Sequence, residues 1–446
     1  MSKKLIKNAR IVNEGKVFNG EILIENEHIK TIGTKIDIAD LDIKIIDAQN
    51  SFVIPGVIDD QVHFREPGLT HKADIETESR AAIAGGITSF IEMPNTNPQT
   101  TTVKKLEEKF DIASKTSYAN FSFMFGGTND NLDEILKLDK TKVAALKLFL
   151  GSSTGNMLVD NPETLEKIFS STDLVIAVHC EDETTIRKNT QDFVDKYGDD
   201  IPVKYHPIIR SEEACYLSSS KAIELAKKTG ARLHVFHLST GKETDLFRND
   251  IPLKEKKITA EVCVHHLWFT DKDYDEKGTH IKWNPAVKTQ NDREQLWEAL
   301  LDDRIDVIAT DHAPHTLDEK SNVYTKAPSG GPLVQHALVA LMEAYHDGKI
   351  TIERLVEKMC HNPAILFDVE KRGYIKEGYF ADLVIVNPNQ SWTVGKENIL
   401  YKCDWSPFEG TTFKSTVTHT FVNGSLVYDN GNINEEKVAK RLTFDR

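Results

Sequence analysis

FVIPGVIDDQVH (52–63), IETESRAAIAGG (75–86) and ITSFIEMPN (87–95) follow one another as an apolar run, an amphipathic stretch and a second apolar run. The outer two are short and rich in Val, Ile and Phe, as buried strands are, and the middle one spaces its apolar residues along a helix face. The alternation continues through ANFSFMFGG (119–127), VAALKLFLG (143–151), DLVIAVHCE (173–181), RLHVFHLST (232–240), ITAEVCVHH (258–266) and DVIATDHAPH (306–315). Amphipathic stretches such as PETLEKIFSS (162–171) and DREQLWEALLDD (292–303) lie between the runs. Eight such rounds, with strands apolar on both faces, predict a closed parallel (β/α)8 barrel of the TIM type; a doubly wound open sheet is the runner-up.

On either side the style changes. LIKNARIV (5–12), GEILIENEHIKTIG (20–33) and IKIIDAQ (43–49) read as short strands, and so do ADLVIVNP (381–388) and STVTHTFVNGSLVYDNGN (415–432). Neither end is long enough to bury a core alone, so the two are expected to pair into one small β-sandwich. The expected division is 1–52 and 371–446 for the sandwich and 53–370 for the barrel. A chain of 446 residues with 39% hydrophobic and 28% charged residues is globular. Its net charge, 55 − 69 = −14, repels phosphate backbones and anionic bilayers, so no nucleic-acid or membrane partner is expected. No run reaches the length of a membrane span, and MSKKLIKNARIVNEGK lacks the apolar core of a signal peptide, which predicts a cytoplasmic protein. Its five cysteines are scattered without a CxxC pair, which argues against a disulfide framework or a thiolate zinc site.

Histidine carries more information. His63 ends the first predicted strand and Asn95 the second, Lys147 lies in the fourth, and His179 and His237 end the fifth and sixth. His265 and His266 end the seventh, and Asp311 ends the eighth. A lone histidine at a strand end is more often a satisfied hydrogen-bonding residue than a ligand. Three at corresponding ends, with a carboxylate, converge on the barrel face where β/α loops gather, and suit a divalent metal such as zinc. Lys147 interrupts VAALKLFL, where burying an ammonium is costly. An ion pair, a side chain reaching to the mouth, and a carbamate formed with carbon dioxide all fit that position.

These residues sit in motifs that resemble the cyclic amidohydrolases of the metal-dependent amidohydrolase superfamily, most closely the dihydroorotase family. PGVIDDQVHFREPG (55–68), EMPNT (92–96), LKLFLG (146–151), VHCED (178–182) and FHLST (236–240) match in order and strand position. EVCVHHL, KWNPAVK, ATDHAPH, HNPAILF and WSPFEG complete a similarity that runs nearly end to end. REPG with DHAPH favours dihydroorotases over allantoinases or dihydropyrimidinases.

The resemblance implies that His63, Lys147, His179, His237 and Asp311 hold one or two zinc ions, with Lys147 as a bridging carbamate. It implies that Arg65, Asn95 and His315 bind a substrate carboxylate and that Asn284 contacts ring amides. The alternative for Arg65, a surface salt bridge with Glu66 or Asp60, is disfavoured by its place two residues past His63. Gln61 departs from the pattern: the family has His-x-His where this chain has Gln61-Val62-His63, preceded by an unusual Asp60. An amide oxygen is a poorer zinc ligand than imidazole, so one metal position is expected to be weakened. The implied activity is reversible hydrolysis of dihydroorotate to N-carbamoyl-aspartate, with Asp311 moving the proton, in a homodimer. The rivals are an allantoinase-like hydrolase and a non-catalytic subunit partnering aspartate carbamoyltransferase. The segment 318–331, with its Pro and paired glycines, is a candidate lid.

Overall fold

The protein is described here as a computed structural model covering residues 2–37, 43–151 and 157–446. Its centre is a ring of parallel strands. Val57–Val62 pairs with Ile87–Glu92, which pairs with Asn120–Phe123. After Met124 the third strand resumes at Phe125–Gly126 and pairs with Leu146–Phe149. Ile176–His179, Leu233–Val235, Ile258–Cys263 and Val307–Ala309 then follow in order. A bridge between Val62 and His312, with the His63 amide donating to the His312 carbonyl at 2.7 Å, joins the last strand to the first. The expected barrel is therefore present. Nearly every strand residue is buried, which is why the strands read as unbroken apolar runs rather than alternating ones.

Helices pack outside the ring, and most of the longer ones begin on side-chain caps. Asp74 accepts from the Thr77 amide at 2.8 Å to start Ile75–Ala84, and Ser211 caps Glu212–Thr229, which ends on Gly230 at φ +76°. No helix among the described residues is long and apolar enough to cross a membrane.

The two ends of the chain share one nine-stranded sheet. Phe52–Pro55 sits in its middle, parallel to Lys3–Asn13 on one side and antiparallel to Leu383–Asn387 on the other. FVIPGVIDDQVH, read above as one strand, is thus two: 52–55 belongs to the terminal sheet and 57–62 to the barrel. Gly56 makes the break. Its amide donates to the Asp382 carbonyl at 2.8 Å, and a Cβ there would stand 1.9 Å from Thr88 Oγ1. Only glycine lets the chain pass from one sheet to the other so close to the second barrel strand. A second difference concerns His265 and His266, which lie in a helical turn, Val264–Trp268, beyond the seventh strand.

Gly56→Ala is expected to destabilise the protein by about 1–3 kcal/mol, the usual cost of forcing extra volume into packed surroundings. A lowered urea midpoint measures it; an unchanged midpoint would show that Thr88 moves aside freely.

Candidate active site

His63, Arg65, Asn95, Lys147, His179, His237, Asn284, Asp311 and His315, together with Gln61, line one cavity of 470 Å³ at the C-terminal ends of the strands. A larger hollow of 640 Å³, lined by Leu150, Phe169, Leu225 and their neighbours, contains no histidine. Ring closure brings the site together, since its members span residues 61 to 330. His265 and His266 do not line the cavity. His265 is buried against Trp283, ring centroids 4.4 Å apart.

Three residues of the cluster adopt left-handed backbone: Arg65 at φ +68°, His237 at +41° and Asp311 at +48°. Non-glycine residues rarely do so, and the cost is of the order of 1–3 kcal/mol each unless the surroundings enforce it. At Asp311 the enforcement is visible. Asp59 accepts from the Thr310 amide and hydroxyl at 3.2 and 2.6 Å, locking the end of the eighth strand to the first. Burial pushes the Asp59 carboxyl up to about 7.

The hydrogen bonds assign lone pairs. Asn95 Oδ1 lies 2.9 Å from His63 Nδ1 and can only accept, so the His63 proton is on Nδ1 and the Nε2 lone pair faces Asp311 Oδ1 at 3.2 Å. Glu181 Oε2 accepts from His179 Nε2 at 2.9 Å, leaving the His179 Nδ1 lone pair 3.0 Å from His237 Nε2. Burial lowers the basicity of His63 and, together with the neighbouring His179 and Lys147, that of His237, so both favour the neutral imidazole that ligates metal. At His63 and Asp311 acceptor thus faces acceptor, an arrangement that fits a metal cation between them, and beside them His179 turns a lone pair toward His237, whose own Nδ1 has no partner among the described residues.

Lys147 Nζ is buried and has no hydrogen-bond partner among the described residues. It lies over the Phe236 and Phe149 rings at 4.0 and 4.9 Å, and burial lowers it to about 7, although Asp311 and Glu261 pull the other way. No carboxylate forms an ion pair with it among the described residues, which disfavours the first of the three explanations for its position. Gln61 is also buried, with its Oε1 3.7 Å from Cys263 Sγ.

Arg65 is buried as well. Its Nε donates to the Pro314 carbonyl at 3.0 Å, and no salt bridge to Glu66 or Asp60 forms. Lys72 Nζ donates to His315 Nδ1 at 3.0 Å, which puts the His315 proton on Nε2, 3.0 Å from the Ser329 carbonyl. Arg65 Nη2 stands 3.0 Å from that same Nε2, so two donors face one another, a cradle suited to an anion. Burial lowers the guanidinium to about 10, still charged at neutral pH. Asn284 Oδ1 is buried without a partner. Lys320 Nζ, buried against the carbonyls of Pro328 and Gly330 at 2.9 and 2.8 Å, holds the 318–331 segment at the rim.

The sequence reading missed Glu181, which orients His179 and is itself held by Arg210. Against burial, the Arg210 charge and the hydrogen bond from His179 hold Glu181 well below the usual carboxylate range. The signal was available: a carboxylate two residues past a strand-end histidine. Lys72 offered none, since only the folded loop brings it to His315.

The amidohydrolase family model matches residues 52–427. Dihydroorotase of Halobacterium salinarum is 34% identical over 94% of this chain and 96% of its own. Dihydroorotase of Clostridioides difficile is 33% identical over 95% of this chain and 99% of its own. Among solved structures, the L-hydantoinase (dihydropyrimidinase) of Arthrobacter aurescens superimposes with a TM-score of 0.94 at 28% identity, covering 99% of this chain and 100% of that one. With the family matched across barrel and terminal sheet alike, the chain belongs to the amidohydrolase family and is a cyclic amidohydrolase.

Proposed function

We propose that the chain is a zinc-dependent dihydroorotase, interconverting L-dihydroorotate and N-carbamoyl-L-aspartate in pyrimidine synthesis. The carrying observation is that the Arg65 and His315 donors share one cavity with the facing lone pairs of His63 and Asp311 and with the His179 and His237 imidazoles. That combination suits a carboxylate-bearing cyclic amide and a metal at once. The dihydroorotase relatives support the same reading.

His63, Lys147, His179, His237 and Asp311 would hold one or two zinc ions, with Lys147 as a carbamate. An unpartnered, buried amine lowered to about 7 is substantially uncharged at neutral pH, the form that adds carbon dioxide. Zinc supplies Lewis acidity, polarising the amide carbonyl and acidifying water. The chain's own residues do the rest. Arg65, Asn95 and His315 hold the carboxylate, fixing the ring's orientation. Asn284 contacts the ring amide through its unpartnered oxygen. Asp311 takes the proton of the attacking water and delivers it to the departing ring nitrogen; synthesis reverses the order. Gln61, an amide where the family has imidazole, weakens the first-strand metal position. The expected division, 1–52 and 371–446 for the terminal domain and 53–370 for the barrel, stands with its first boundary moved to Gly56, because 52–55 lies in the terminal sheet, and the protein would work as a homodimer in the cytoplasm.

Three outcomes are expected. Exchange with ¹³C-bicarbonate should give a carbamate resonance that Lys147→Ala abolishes; its absence from active, metal-loaded protein removes the bridge. Arg65→Met should retain zinc but lose roughly 2–5 kcal/mol of transition-state binding, read as kcat/KM on dihydroorotate. Normal turnover would favour a substrate without the carboxylate, such as allantoin. Asp311→Asn keeps size and an oxygen ligand, so zinc should largely remain while hydrolysis falls roughly 10²–10⁴-fold. Retained zinc with near-normal turnover would assign the proton to another group.

A further inference from the structure

Asp60, His234 and Glu261 lie on the first, sixth and seventh barrel strands and are fully buried. They form the one group of three potential metal-ligand residues among the described residues whose donor atoms all lie within 4.8 Å of one another. None of the three lines the catalytic cavity.

The hydrogen bonds again assign the lone pairs. Thr259 Oγ1 donates to the Leu233 carbonyl at 3.2 Å, so it accepts from His234 Nδ1 at 2.8 Å. His234 Nε2 then directs a lone pair at Asp60 Oδ2, 3.5 Å away, and Glu261 Oε2, 3.6 Å away. Glu261 Oε1 is committed elsewhere, receiving the His237 amide at 3.2 Å and Cys263 Sγ at 3.3 Å, which turns Oε2 into the group. Neither Asp60 oxygen, nor Glu261 Oε2, nor His234 Nε2 has a hydrogen-bond partner among the described residues.

Separations of 3.5 and 3.6 Å exceed the roughly 2.7–3.2 Å of an N–H···O hydrogen bond. They match the edge of a tetrahedron around zinc, about 3.4 Å for bonds of about 2.1 Å. Two buried carboxylates and a neutral imidazole carry charge −2, which a divalent ion cancels and which burial otherwise penalises heavily. Protons are the competing occupants: the two carboxylates, against burial, raise the affinity of His234 for a proton, and burial and Asp60 raise that of Glu261.

We propose that Asp60, His234 and Glu261 bind a divalent first-row metal ion of the zinc class inside the barrel, separate from any metal at the mouth. The Nδ1–H to Thr259 bond supplies the outer support that metal-bound imidazoles have. Because the trio is sealed from solvent, the ion enters as the chain folds and does not exchange in the native state.

The test uses the full chain produced with zinc chloride and then dialysed in its native state against EDTA. Elemental analysis should find about one zinc per chain retained, released when guanidinium unfolds the protein. Anomalous diffraction at the zinc edge should place a peak about 2.0–2.2 Å from Asp60 Oδ2, His234 Nε2 and Glu261 Oε2. Asp60→Asn should lose that equivalent and its peak while any peak among His63, His179, His237 and Asp311 stays. If Asp60→Asn does not fold, the map of the unmutated protein decides alone. A map of zinc-supplied, undialysed protein with no peak at the trio overturns the proposal and assigns protons there. Peak position separates the two sites, because a missing peak at the mouth would count against the hydrolase reading only.

Discussion

Closing eight strands into a ring forces imidazole and carboxylate lone pairs together with too few protons to pair them. His63 faces Asp311 and His234 faces Asp60 and Glu261, acceptor against acceptor, while His179 turns its free lone pair toward His237. In water such groups would be hydrated separately; in a buried site their mutual repulsion is strong and unscreened. The arrangement persists because each ring is pinned from behind, by Asn95, Glu181 and Thr259. The pinning bonds fix tautomers as well as positions, so the demand for a cation is built into the fold before any ion arrives.

The packed apolar shell sustains this arrangement. The strands carry Val, Ile, Leu and Phe on both faces, and their burial offsets both the left-handed backbone at Arg65, His237 and Asp311 and the desolvation of the polar centre. Burial acts in opposite senses on the two kinds of group in the mouth. It lowers Lys147 to about 7, which brings the uncharged amine within reach at neutral pH, whereas Arg65 stays cationic because a guanidinium lowered to about 10 is still protonated there. One environment therefore weakens the charge of an amine and leaves a guanidinium fully cationic.

Much of this is legible in the chain because short apolar runs bounded by amphipathic stretches leave few alternatives once eight occur in series. The strand-end histidines and Lys147 were legible for the same reason: each interrupts an otherwise apolar pattern. Three features were not. The split at Gly56 depends on Thr88 and Asp382, distant in sequence, so 52–63 reads as a single strand. His265 and His266 read as a strand end because nothing local marks the helical turn that removes them from the cavity. The Asp60, His234 and Glu261 trio joins strands one, six and seven, and only closure of the ring makes it a group. Asp60 alone showed as unusual, with nothing nearby to say what it met.

The placement of Phe52–Pro55 between Lys3–Asn13 and Leu383–Asn387 has a consequence for biosynthesis. When this strand leaves the ribosome, one edge pairs at once with its N-terminal neighbour, but its other partner is more than 300 residues away. At ~5–20 residues per second the gap lasts on the order of tens of seconds. Throughout that interval the nascent sheet presents an apolar, hydrogen-bond-hungry edge while the barrel is assembled beside it, and such edges recruit other strands. Translation speed and chaperone cover over the middle of the message therefore bear on the yield of folded protein independently of how stable that protein is.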